Sequence, residues 1–89
     1  MLEKTIEALL VKRVKERGGI AYKFTSPQRR SVPDRLVILP GGVFEFVELK
    51  APGKKPTPMQ SREHERLRAL GCVVRVIDNQ EEVEWIYGR

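Results

Sequence analysis

An α/β domain with a mixed central sheet flanked by helices, in the core order αβββαβ, is predicted by three observations. Two stretches, 2–17 and 58–70, carry apolar residues at helical spacing. Four short apolar runs read as strands, three of them before the second helix and one after it. A helix joining the third strand to the fourth requires a crossover, so that pair is expected to run parallel beside an antiparallel hairpin. At 89 residues the chain is read as one domain, 1–89, whose core buries only a modest share of apolar surface, so dimerisation would be unsurprising.

In the first helix Leu2, Ile6, Leu9, Leu10 and Val14 fall within one arc, and Gly18-Gly19 stops it. The run IAYKF is a short strand, followed by the basic loop TSPQRRSVP, whose prolines and serines argue against regular structure. RLVIL and VFEFVEL are strands separated by Pro40-Gly41-Gly42, a spacing suited to a tight hairpin. APGKKPTP cannot continue a sheet. The second helix is announced by Thr57 as N-cap, Pro58 at the first helical position and Gln60 three residues after the cap. Met59, Leu67 and Leu70 are its apolar stripe, and Gly71 ends it. CVVRVI is the fourth strand, and EEVEWIY fits either a strand or a short helix.

With 17 Lys and Arg against 12 Asp and Glu, the net charge of +5 points weakly to a polyanionic partner, with nucleic acid the first candidate. The lone Cys72 excludes an internal disulfide and a cysteine-rich zinc site, and a buried thiol in a reducing cytosol fits it best. The apolar runs are too short to span a bilayer, and MLEKTIE lacks the centre of a signal peptide. His64 has no second nitrogen or sulfur ligand at zinc spacing and is expected at the surface; Tyr22, Trp85 and Tyr87 are expected in the core.

The informative stretch is VFEFVELKAPG. Alternation puts Phe44, Phe46, Glu48 and Lys50 on one face and Val43, Glu45, Val47 and Leu49 on the other, with Glu48 and Lys50 about 6.8 Å apart. A loop over 40–42 pairs Leu39 with Val43 and, counted outward, Asp34 with Glu48, unless a bulge moves the register by one. Two carboxylates about 5 Å apart repel by roughly 3 kcal/mol. Lys50 offsets part of this, but a divalent cation on two hard oxygen ligands fits better, with water completing its shell. Such a site suits phosphodiester hydrolysis: the cation stabilises charge and lowers the pKa of a water, which Lys50 orients. Arg29, Arg30, Arg35, Lys54 and Lys55 are candidates for holding phosphates. Glu7 borders the apolar arc of its helix and either joins the site or pairs with a lysine there. Gln60 points toward the sheet and can serve both the cap and the site. Glu3 sits in the first helical turn, where the helix dipole favours an acid anyway, and is left out.

VPDR followed by VELK resembles the PD-(D/E)xK nuclease motif, with Pro33-Asp34 as its first half and Glu48-Leu49-Lys50 as its second. The wider text, GGIAYKFTSP, SVPDRLVILPGG, FVELKAPGKKPTPMQ and EHERLRALG, resembles the VRR-NUC family in its stand-alone viral and bacterial form, over nearly the whole chain. That resemblance implies a restriction-endonuclease-like fold and DNA cleavage dependent on Mg²⁺ or Mn²⁺. It implies Asp34, Glu48 and the Leu49 backbone carbonyl as metal ligands, Lys50 as the catalytic lysine, Glu7 as the acid of the first helix and Gln60 as the glutamine after the ExK strand.

Stand-alone members are in turn similar to Holliday-junction resolvases, which implies a homodimer cutting four-way junctions in a bacterial or phage-infected cytoplasm. Other substrates in play are flapped and single-stranded DNA. Two rival readings are a nucleic-acid-binding module without turnover and a surface network of charges with no site at all.

Overall fold

The computed structural model describes residues 2–89. Its elements are α1 (Glu3–Glu16), β1 (Ile20–Lys23), β2 (Arg35–Leu39), β3 (Val43–Leu49), α2 (Pro58–Ala69), β4 (Val73–Ile77) and α3 (Gln80–Tyr87). The order matches the predicted one, and the undecided last element is a helix, capped by the Asn79 side chain, which accepts from Glu82 N–H at 2.7 Å.

The sheet runs β1-β2-β3-β4, antiparallel for the first two pairings and parallel for β3 with β4. Its mixed character follows from the connections: a three-residue loop joins β2 to β3, and α2 carries the chain back to lay β4 alongside β3. Leu39 pairs with Val43 and Arg35 with Val47, so the hairpin has the simple register and no bulge. Gly41 and Gly42 turn it at φ of 92° and 75°, where a side chain would be strained. Gly19 is required for a different reason: a Cβ there would lie 2.5 Å from the Ile38 carbonyl oxygen, so the α1–β1 corner closes only on glycine.

Alternation divides the strands between two environments. Val37, Val47, Leu49 and Ile77 face α1 and α3, and with Ile6, Leu10, Val14, Val83 and Tyr87 they form the core. Glu45 is buried on this face as well, accepting from Tyr87 Oη at 2.6 Å and from two nitrogens of Arg75. Burial pushes its carboxyl up, but the Arg75 and Tyr87 hydrogen bonds outweigh that and hold it below its ordinary value. The opposite face is covered in part by α2, which packs over β4 and reaches the end of β3, where His64 meets Glu48, and by Phe24, which lies edge-on to Phe46. Its remaining rows, Ile20–Ile38–Phe44 and Tyr22–Leu36–Phe46, run across β1, β2 and β3, and Ile20, Tyr22 and Phe44 are each more than half exposed.

Several expectations need correction. Leu2 is exposed, so the α1 stripe begins at Ile6. Tyr22 and Trp85 are surface residues and Tyr87 alone of the three is in the core. Cys72 is half-buried, not enclosed. Met59 and Leu70 are exposed, and the residues that α2 buries are Glu63 and His64. Glu63 pairs with Arg29 and His64 faces Glu48, so the inward face of α2 is polar where it meets the carboxylate end of the sheet. No helix among the described residues is long and apolar enough to cross a membrane.

Candidate active site

Asp34 sits immediately before β2, Glu48 at the penultimate position of β3 and Lys50 just past that strand's end. The ladder that pairs Arg35 with Val47 brings Asp34 beside Glu48, and an Asp34 carboxylate oxygen accepts the Leu49 N–H at 3.2 Å. The parallel ladder continues beyond β3, with Lys50 N–H donating to Ile77 O at 3.0 Å, so the backbone carrying the lysine is fixed. These are the neighbours that the hairpin count predicts.

Glu48 is 5 % exposed, which rules out a solvent-facing ion pair. Its Oε2 lies 3.8 Å from Lys50 Nζ, while Oε1 is buried with no hydrogen-bond partner. Burial, then the Asp34 charge, push the Glu48 carboxyl up to about 7 despite Lys50, and Glu3 adds to the repulsion. Burial also raises Asp34; the Leu49 N–H works against that and Glu7 adds to it. Glu3, set aside for its place in the first helical turn although it lies near the centre of the inward arc, thus makes its charge felt at Glu48.

Lys50 Nζ donates to Gln60 Oε1 at 2.8 Å, and the same oxygen accepts the Thr57 N–H at 2.9 Å. Gln60 N–H in turn donates to Thr57 Oγ1 at 3.1 Å, completing the capping box. One side chain therefore starts α2 and holds the lysine. His64, one turn further along α2, is 2 % exposed, contrary to the surface position expected for it, and its Nε2 lies 3.6 Å from Glu48 Oε1.

Glu7 pairs with Arg35 at 2.9 Å instead of with a lysine, and Arg35 also donates to the Ala21 carbonyl. With its side chain 13 % exposed, Arg35 is turned inward and is not presented to a phosphate as its sequence position suggested. Arg29 donates two hydrogen bonds to Glu63 but stays half exposed, and Arg30 is exposed. These two arginines line a cleft of about 380 Å³ together with Ser31, Met59, Arg62, Glu63 and Arg66. Arg62 and Arg66 were not singled out from the sequence, although their spacing on α2 puts them on one flank. Ser31 has a φ of 67°, the only positive value outside glycine among the described residues. Lys54 and Lys55 stand exposed in the turn after β3, which is tied back by Gly53 N–H donating to Asp78 at 3.3 Å.

The donor set at Asp34 and Glu48 is all oxygen, and the orphaned Glu48 oxygen is the kind of group a hard cation satisfies. Among the described residues, no three or more His, Cys, Asp or Glu side chains are gathered closely enough to hold an ion by themselves. The arrangement therefore suits a cation that keeps much of its water, as Mg²⁺ does on one or two carboxylates.

Among curated proteins, the chain is 63 % identical over 79 residues to "Putative nuclease p44" of Acyrthosiphon pisum secondary endosymbiont phage 1, covering 89 % of this chain and 85 % of that one. Among solved structures, a "VRR_NUC domain" superposes with a TM-score of 0.90 at 38 % identity, over 98 % of this chain and 95 % of the other. No protein-family model matches.

Proposed function

The chain belongs to the VRR-NUC family of nucleases, and from that premise we propose that it is a Mg²⁺- or Mn²⁺-dependent endonuclease that cuts DNA four-way junctions as a homodimer. One observation carries the reading: two carboxylates side by side, Asp34 and a buried Glu48 that Asp34 and burial push up to about 7, flanked by Lys50. Two carboxylates so placed are costly to keep charged unless a cation completes the pair.

Asp34, Glu48 and the Leu49 carbonyl would hold the cation, with Glu7 acting through Arg35 on the same end of the sheet. When bound, the ion supplies charge neutralisation at the phosphate and a water of lowered pKa. Lys50, held by Gln60 on a fixed backbone, orients the attacking water and faces the charge that builds on the phosphate. The burial of Glu48 keeps bulk water from screening these charges.

Phosphates on either side of the cut would be held by Arg29, Arg30, Arg62 and Arg66 along the cleft and by Lys54 and Lys55 beyond β3. The homodimer is supported by the bare sheet face, where Ile20, Tyr22 and Phe44 are exposed on a chain too small to leave such apolar rows to solvent without cost. A second copy covering that face sets two sites at a fixed separation, as cutting opposing strands of a junction requires.

The test is cleavage of labelled four-way junctions against linear, flapped and single-stranded DNA, with Mg²⁺ or Mn²⁺ and with Asp34→Ala as control. Symmetric junction cutting by the wild type, lost in the variant, is the expected result. A chain that leaves every substrate intact with both metals is not the proposed enzyme.

A further inference from the structure

We propose that His64 is a positioning residue that holds the Glu48 carboxylate in its cation-binding orientation. The inference rests on the reading of Glu48 as a cation ligand and gives a role to a residue for which neither the motif nor the family resemblance supplied one. It starts from an imbalance. His64 Nε2 and Glu48 Oε1 are both buried, both lack a hydrogen-bond partner, and they face each other across 3.6 Å. A buried unsatisfied polar atom is costly, so two that are aimed at one another are unlike the filling of a gap, which a leucine would do more cheaply. The tautomer with its hydrogen on Nε2 donates toward Oε1, and an approach of about 0.6 Å brings the pair to ordinary hydrogen-bond length.

The chain geometry favours this pairing. Gln60 and His64 are four residues apart on α2, hence on one face, and Glu48 and Lys50 are two residues apart at the end of β3, hence on one side of the strand. Gln60 meets Lys50 and His64 meets Glu48. The Glu48 carboxylate is then bracketed, with His64 at Oε1 and Lys50 at Oε2, and its plane is set before any cation arrives. Groups that orient a ligating carboxylate in this way typically change metal affinity by about 10- to 100-fold when removed.

The experiment uses the full chain without DNA. Mn²⁺ affinity is measured by calorimetry for the wild type, Asp34→Ala, His64→Leu and His64→Gln, with thermal melting of each. Expected are a wild-type site abolished by Asp34→Ala, an affinity about tenfold weaker in His64→Leu at an undiminished melting temperature, and recovery in His64→Gln, whose amide nitrogen reaches the place of Nε2. If His64→Leu does not fold, His64→Asn replaces it, being too short to reach and so expected to bind as weakly. Wild-type Mn²⁺ affinity in the leucine or asparagine variant overturns the role of His64 alone. Absence of any Mn²⁺ site lost in Asp34→Ala overturns it together with the cation reading.

Discussion

The Lys50 ammonium and the Gln60 side chain meet at 2.8 Å, and the glutamine oxygen that holds the lysine also accepts the N–H of the residue capping α2. Helix initiation and lysine placement thus share one atom. Lys50→Ala should leave DNA affinity within about twofold of wild type while lowering the single-turnover cleavage rate by about 10²–10⁴-fold, the scale of a group acting on the chemical step. Gln60→Ala should show both halves of its role: a loss of about 0.5–1 kcal/mol in chemical denaturation from the broken capping box, and a smaller fall in rate. Wild-type cleavage by the lysine variant would remove it from the chemistry.

How much of this was legible beforehand differs by residue. Thr57, Pro58 and Gln60 announce the helix because capping is local chemistry, and the Asp34–Glu48 proximity follows from strand alternation and a three-residue loop. The orientation of α2 was not legible. Its apolar residues Met59, Leu67 and Leu70 define an arc turned by roughly 50° from the side it buries, at 100° per residue. Hydropathy cannot foresee that a helix will cover the carboxylate end of the sheet and so bury Glu63 and His64. Arg35 fails in the same way: a basic residue beside the motif reads as a phosphate contact until its partners Glu7 and the Ala21 carbonyl are seen.

Stability without metal should depend on pH through Glu48. Its carboxyl, raised from 4.5 to about 7 by burial and Asp34, binds a proton more tightly in the folded state. That contribution is fully present below pH 4.5 and is lost as pH rises through 7, a cost on the order of 1–3 kcal/mol. His64 works the other way, since burial and then Arg68 lower it from 6.5, so its contribution grows as pH rises toward that value. Subtraction separates them. With a chelator present, the melting temperature of wild type relative to Glu48→Gln should fall between pH 5 and 8. A constant difference across that range would mean that Glu48 does not titrate there.

The cleft on the flank of α2 predicts a salt effect. Arg62→Ala with Arg66→Ala removes two guanidinium groups that no hydrogen bond commits elsewhere among the described residues, unlike Arg29 with Glu63. If each meets a phosphate, the slope of log affinity against log salt should flatten by about 1.4–1.8, between the single-strand and duplex values for two contacts. Fluorescence anisotropy with a labelled junction measures it. Lys54→Ala with Lys55→Ala should flatten it likewise, and an unchanged slope in either pair moves the DNA path away from that surface.

The bare sheet face makes the last prediction. Phe44 is 59 % exposed, and its cross-strand neighbours Ile38 and Ile20 extend the apolar row to the β1 edge. Neither α1 nor α3 can cover that row, because they lie on the other side of the sheet, and α2 is held over β4. If a second copy covers it, Phe44→Glu places a charge within the contact, where burial without a partner costs several kcal/mol. The core residues Val47 and Leu49 point the opposite way, so the variant should still fold, melting lower only by what the lost subunit contact supplied. Sedimentation velocity should then report a dimer for the wild type and a monomer for Phe44→Glu. Mn²⁺ binding, for which the proposed site draws on one chain alone, should survive in the monomer, while coordinated cutting of two junction strands should be lost. A variant that remains dimeric would place the interface on another surface, and one that is monomeric yet still cuts both strands together would separate junction resolution from dimerisation.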